Sequence, residues 1–228
     1  MFVIKSTRTR SVLRYVIPFA VIPAVVFLGG SILREKWHLW LSFAVAILSV
    51  LLFATGFERK QTGSRRLVLV SVMAALCVAG RFIPFFKPIT ALTVITAMYM
   101  GGEAGFLTGS MAALISNFYF GQGPWTPFQM LAWGLIGLAS GLLHKPLKKS
   151  RILLCVYGVL TGVLYSLVMD VWTVLWYQNG FRWDLYFSAV VAALPHTALY
   201  GVSNFIFLWF FSRPFGQKLE RIRIKYGV

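Results

Sequence analysis

Between Asn117 and Trp133 the chain reads NFYFGQGPWTPFQMLAW, a run dense in groups that recognise a flat or amide-rich molecule without reacting with it. Asn117, Gln122, Thr126 and Gln129 supply uncharged donors and acceptors. Phe118, Tyr119, Phe120, Trp125, Phe128 and Trp133 supply aromatic faces. Gly121 and Gly123 allow backbone angles closed to other residues, while Pro124 and Pro127 each fix one φ and push the preceding residue toward extended geometry. The run reads as the stiff, preorganised rim of a ligand site. By composition alone, an aromatic belt at a membrane surface accounts for it equally well.

Four further features bear on chemistry. Asp170 is the single acid deep in an apolar stretch, where insertion costs about 2.5–3.5 kcal/mol, so it calls for a ligand or for pairing with Arg81, Lys87 or Arg182. Trp172 and Tyr177 follow it and extend the aromatic rim. His196 comes after Pro195, which removes a helix hydrogen bond; such a histidine is more often a satisfied interior residue than a ligand, and Asn204 beyond it reads as an interhelical hydrogen bond. Ser71, Ala75 and Ala79, four apart with Ala74 beside them, make a smooth stripe for close helix approach, either inside this chain or against a partner. The stripes Gly101, Gly105, Gly109 and Gly134, Leu138, Gly141 read as internal packing.

Catalytic patterns are missing: there is no HExxH, GxSxG or GxxxxGK[ST], and no pair of intramembrane acids. The chain is therefore not expected to be an enzyme or to bind ATP, and one buried acid is thin support for a proton-coupled carrier. Cys77 and Cys155 lie inside apolar stretches without CxxC or histidine neighbours, so they read as packing residues rather than metal ligands.

The elements that must hold these residues are membrane helices. The 228 residues are 58% hydrophobic and only 12% charged, with mean hydropathy +0.75, against about 25% charged in soluble domains. Apolar stretches run Tyr15 to Leu33, Trp37 to Phe57, Arg66 to Phe82, Ile89 to Met100, Ala104 to Phe120, Pro127 to Leu143, Ile152 to Trp176 and Tyr186 to Phe211, giving an all-α integral membrane protein of about eight spans. The fourth is too short to cross untilted, and Pro84 to Pro88 suggests a re-entrant or partly unwound entry to it. The first two form a hairpin closed by Arg34-Glu35-Lys36 and retained rather than cleaved as a signal peptide. The chain accordingly divides into 1–63, a basic segment and hairpin; 64–213, a six-helix core; and 214–228, a basic tail.

A net charge of +16 in a soluble protein would suggest nucleic acid. Here the cations cluster between spans, at Lys5, Arg8, Arg10 and Arg14, at Arg59, Lys60, Arg65 and Arg66, at Lys145, Lys148, Lys149 and Arg151, and at Arg213, Lys218, Arg221, Arg223 and Lys225. Alternate segments hold only Arg34, Lys36, Arg81, Lys87 and Arg182. The positive-inside rule then places both termini in the cytoplasm and three loops outside: Arg81 to Pro88, Phe120 to Thr126, and Tyr177 to Leu185.

The block from Arg66 to Phe211, with its Ala75-xxx-Ala79 first helix and the run GQGPWTPFQMLAWGLIG from Gly121 to Gly137, resembles the substrate-binding S components of energy-coupling factor (ECF) vitamin transporters, most of all the cobalamin-specific ones. The resemblance implies a multi-pass protein of a bacterial cell membrane that captures a vitamin outside. It also implies inward release by toppling when the protein docks on a transmembrane coupling subunit driven by two cytosolic ATPases. Ser71, Ala75 and Ala79 would be the docking face. Cobalamin would be the transported substrate rather than a cofactor, met by Asn117, Gln122, Trp125, Gln129, Trp133, Asp170, Trp172, Tyr177 and His196, with Arg81 or Lys87 on its phosphate. The same residues suit riboflavin or another flat vitamin. The hairpin before residue 64 departs from the common six-span core.

Overall fold

The computed structural model describes residues 6–32, 38–55, 60–177 and 181–227, apart from the side chains of residues 7, 30–32, 60–63, 176 and 177. The expected Arg34-Glu35-Lys36 turn and the start of the linker after the hairpin lie outside these residues. The described chain is all-α with no strand.

The first helix begins at Ser6, whose Oγ accepts from the Thr9 N–H at 3.3 Å, and runs as α1 (Thr7–Val16), a π turn (Ile17–Val21) and α2 (Ile22–Ile32). Pro18 and Pro23 lack N–H groups, so the ladder slips by one residue and the Ile22 N–H reaches the Ile17 carbonyl. Helix α3 (His38–Ala54) returns and packs on α6 and α7. The core follows as α4 (Lys60–Arg81), α5 (Ile89–Met100), α6 (Gly102–Phe120), α7 (Trp125–Leu142), the short α8 (His144–Lys149), α9 (Arg151–Tyr177) and α10 (Trp183–Tyr226).

Helix α5 has 12 residues, about 18 Å of rise, and sits in the middle of the bundle. Every residue but Tyr99 is buried, which is why its sequence is apolar or threonine all round instead of amphipathic. Thr93 and Thr96 return their hydroxyls to the carbonyls of Ile89 and Leu92 at 2.9 and 2.8 Å. The chain entering α5 is unwound from Phe82 to Pro88, as its prolines suggested, and Phe85 there has φ 55°.

Helices α6 and α7 meet backbone to backbone. A Cβ on Gly109 would lie 2.6 Å from the Trp133 carbonyl oxygen, one on Gly137 would lie 2.8 Å from the Phe106 nitrogen, and one on Gly141 would collide with Gly102. Both glycine stripes therefore pack internally, against each other.

Helix α10 has 44 residues, about 66 Å at 1.5 Å each, well beyond a hydrocarbon core of about 30 Å. Pro195 and Pro214 lie inside it without ending it. Residues 214–226 continue the helix, with Leu219 buried and Gly216 against the Tyr99 ring. Asn204 ties α10 inward as expected, accepting from the Ala91 N–H at 3.2 Å and donating to the Gly158 carbonyl at 3.1 Å. Cys77 and Cys155 are buried and free.

By length and apolarity, Arg8–Gly29, Arg151–Leu175 and Trp183–Tyr226 qualify as membrane spans. Helices α4, α6 and α7 are long enough at 22, 19 and 18 residues, but charges on α4 and polar residues on the other two dilute them.

Gly137→Ala is expected to lower the thermal midpoint of the detergent-purified protein by an overpacking cost of about 1–3 kcal/mol. Gly201→Ala, where the nearest atom to a new Cβ is Val159 Cγ1 at 3.5 Å, should leave the midpoint unchanged or raise it.

Candidate functional site

The end of α4, the end of α6 and the start of α7 converge on Asn117. Its Oδ1 accepts from Arg81 Nη1 at 2.8 Å, and its Nδ2 donates to Thr126 Oγ1 and Gln129 Oε1, both at 2.8 Å. The same Arg81 nitrogen also donates to Ser116 Oγ. The Thr126 hydroxyl donates to Gln122 Oε1 at 3.0 Å, and Gln122 Nε2 donates to the Leu114 carbonyl at 2.9 Å. Five of the polar residues singled out in the sequence, Arg81, Asn117, Gln122, Thr126 and Gln129, thus form one connected network with Ser116.

Arg81 is its only charge. The guanidinium lies 4.8 Å from the centre of the Phe120 ring and 5.6 Å from that of Trp133, a cation set between aromatic faces. No acid pairs with it among the described residues. Lys87 is used differently: Nζ donates to the carbonyls of Arg81 and Ile83 at 2.6 and 3.1 Å, capping the end of α4. Burial first, and the charge of Arg81 second, hold the Lys87 ammonium below the ordinary lysine range.

The rim is shorter than its sequence suggested. Only residues 121–124 are non-helical, and α7 starts at Trp125. Pro124 caps it at φ −60°, Thr126 N–H returns to the Gly123 carbonyl at 2.9 Å, and Pro127 falls in the first turn, where no helical partner awaits its missing N–H. The prolines therefore start a helix instead of bracing a loop. Gly121, with φ 104°, makes the turn out of α6.

Gln129 and Trp133 accordingly sit one and two turns into α7. Trp133 is fully buried, a correction to its placement on the rim. Its Nε1 donates to Thr90 Oγ1 at 3.1 Å, and its ring stacks on Tyr165 with centroids 4.4 Å apart and planes 7° from parallel. Tyr165 in turn meets Tyr200 at 5.1 Å. Tyr165, Tyr200 and Ser116 escaped notice in the sequence. Tyr165 lies seven residues before Trp172, on the same helical face, and that spacing could have found it.

At the start of α7, half-buried Trp125 meets Trp172 of α9 edge to face at 5.8 Å. Phe118, Tyr119 and Phe120 point outward, 43–72% exposed, and suit the interfacial belt; Phe128 is buried against Phe27.

Asp170 is two residues from Trp172, about 200° around the helix, and does not share its face. It falls with Ser166, which hydrogen-bonds Thr197 of α10 at 2.6 Å. The pairings suggested for it do not form: Arg81 and Lys87 bind the groups above, and Arg182 pairs with Asp184 at 2.5 Å. Asp170 is buried, and its Oδ2 has no hydrogen-bond partner among the described residues. His196 is exposed on the outer face of α10. Four-residue steps turn a helix by about 40°, so His196, Tyr200 and Asn204 swing from the surface into the core. The side chain of Tyr177 lies outside the described residues.

Ser71, Ala75 and Ala79 all face outward on α4, whereas Met73, Ala74 and Cys77 face the core. The network makes Asn117 a structural hub. Asn117→Leu is expected to strand Arg81 and lower stability by about 1–3 kcal/mol, read as a fall in thermal midpoint larger than that of Tyr119→Leu at the exposed belt.

A family model described as "ECF-type riboflavin transporter, S component" matches residues 61–212. Searches of curated proteins and of solved structures return no match. The matched region begins with α4 and ends within α10, so it contains the network, the Trp125–Trp172 pair and the outward stripe. The chain therefore belongs to the S-component family of ECF-type vitamin transporters.

Proposed function

We propose that the chain captures riboflavin at the end of the bundle where α4 and α6 finish and α7 begins. The observation that carries this reading is the Arg81–Asn117–Gln129 network set against aromatic faces. Uncharged donors and acceptors beside planar rings suit a flat, neutral heterocycle bearing carbonyls, ring N–H groups and hydroxyls. The family description points to the same vitamin. A phosphate-bearing corrinoid would ask for a cation, and both nearby cations already serve the protein, Arg81 in the network and Lys87 on the carbonyls of Arg81 and Ile83. Cobalamin is the second reading, supported by the resemblance of the Gly121 to Gly137 run.

In this reading the capturing end faces outside and the basic end, with both termini, faces the cytoplasm. The exposed Ser71, Ala75 and Ala79 stripe docks on a coupling subunit, and partner ATPases supply the energy. Preorganisation by the α6–α7 joint limits the ordering entropy lost on binding.

Riboflavin titrated into the purified chain should show saturable quenching of flavin fluorescence, unaffected by excess cyanocobalamin. Gln129→Ala should weaken that binding about 10-fold or more, the loss of a half-buried hydrogen-bonding group. Saturable cobalamin binding without flavin binding would decide for the second reading, and uptake in cells lacking any coupling subunit would decide for a stand-alone carrier. Ala75→Trp on the outward stripe should leave vitamin binding intact while abolishing uptake by the assembled transporter.

A further inference from the structure

At the opposite end of the bundle the structure holds a cavity of about 470 Å³. Its walls carry Arg14 from α1, Arg66 from α4, Lys148 from α8 and Arg223 from α10. Two acids answer these four cations: Glu103, buried and paired with Arg14, and Glu220, 3.8 Å from Lys148 and 3.5 Å from Arg223. Among the described residues, the cations around the cavity outnumber these acids by two. Arg66 donates to the Met100 carbonyl and lies 5.6 Å from the centre of the Phe53 ring, within the field of Glu103 as well as those of Arg14 and Arg223. Burial, more than its neighbours' charges, holds the Lys148 ammonium below the ordinary lysine range, and an anion in the cavity would offset that cost.

The mouth of the cavity is apolar. Tyr15, Phe19 and Leu142 line it while remaining 59%, 56% and 60% exposed. A soluble anion has no use for such a mouth; the acyl chains of a lipid do. The wall also departs from the family pattern, because Arg14, Tyr15, Phe19 and Arg223 all lie outside residues 61–212. The hairpin that distinguishes this chain thus completes the cavity.

We propose that this cavity binds the phosphate group of an anionic glycerophospholipid of the cytoplasmic leaflet, with the lipid's acyl chains lying along Tyr15 and Phe19 between the N-terminal helix and the core. Basic pockets at the cytoplasmic ends of membrane helices take such headgroups. The lipid then joins the hairpin to the transporter core. The leaflet follows from the orientation proposed above; the anion chemistry stands on the cavity alone.

The test is native mass spectrometry of the full chain, delipidated in detergent and titrated separately with phosphatidylglycerol, phosphatidylcholine and inorganic phosphate. The expected result is one phosphatidylglycerol per chain, held at least tenfold more tightly than phosphatidylcholine and not displaced by equimolar inorganic phosphate. The double variant Lys148→Gln, Arg223→Gln should weaken it roughly 20-fold, and Arg223→Gln alone, at an exposed side chain, roughly fivefold. Unchanged elution volume and thermal midpoint show that the variants fold. Equal retention of the two lipids, indifference to both variants, or displacement by equimolar inorganic phosphate would overturn the proposal. Riboflavin binding read on the same samples separates the two sites: its absence alongside selective phosphatidylglycerol binding would count against the capture reading only.

Discussion

The close approach of α6 and α7 governs the rest of the molecule. In hydrocarbon, burying apolar side chains gains nothing over leaving them in lipid, so helix pairs are held by intimate contact. Glycine against glycine allows the closest contact a pair of helices can make. Gly102 against Gly141 and Gly105 against Gly137, with Gly109 on the Trp133 backbone and Gly134 on the Phe106 and Ser110 side chains, bring the two backbones together along most of their length. At one end this leaves room for only a four-residue connection and sets Asn117 of α6 against Gln129 of α7. At the other it places Gly101, Gly102 and Gly141 in the wall of the basic cavity. One contact thus fixes the geometry of both sites.

The second constraint is that no buried backbone group goes without a partner in a membrane. Helix α5 stops far short of a bilayer's thickness, so its entry and the end of α4 must be satisfied by side chains. Lys87 covers the carbonyls of Arg81 and Ile83, and its own N–H donates to Ser203 Oγ at 3.0 Å. Asn204 covers the Ala91 N–H. Arg81, at the last residue of α4, turns from the capped helix end into the Asn117 network. The capture site grows out of the same hydrogen bonding that makes a short buried helix possible.

Much of this was legible in the residues. The bounds of α5 follow from an apolar run between Pro88 and Gly101, and the structure has them at Ile89 and Met100. The glycine stripes and Asn204 behaved as their spacing suggested, because small residues at helical intervals and a lone amide in an apolar helix have few alternatives. Other features were not legible. Pro124 and Pro127 fit a braced loop and a helix start equally, since both use the same φ. Trp133 read as rim because its distance from the turn was counted along the sequence, while the helix carries it inward. The level of Asp170 in the membrane suggests a ligand or a cationic partner; which side of α9 it faces depends on the placement of α10. His196 and Tyr200 differ in burial through a drift of face along a long helix, which no local pattern encodes. The identity of the vitamin was least legible, because amides and aromatic rings recognise many flat molecules.

The claim that vitamin capture occurs where α6 passes into α7 is tested most directly by hydrogen–deuterium exchange on the purified full-length chain, with and without riboflavin. The account predicts slower exchange on ligand addition across residues 114–133 and around 165–172, with no change along α8 or the last turns of α10. Protection confined to those latter segments, or none at riboflavin concentrations that saturate any binding signal, would contradict it.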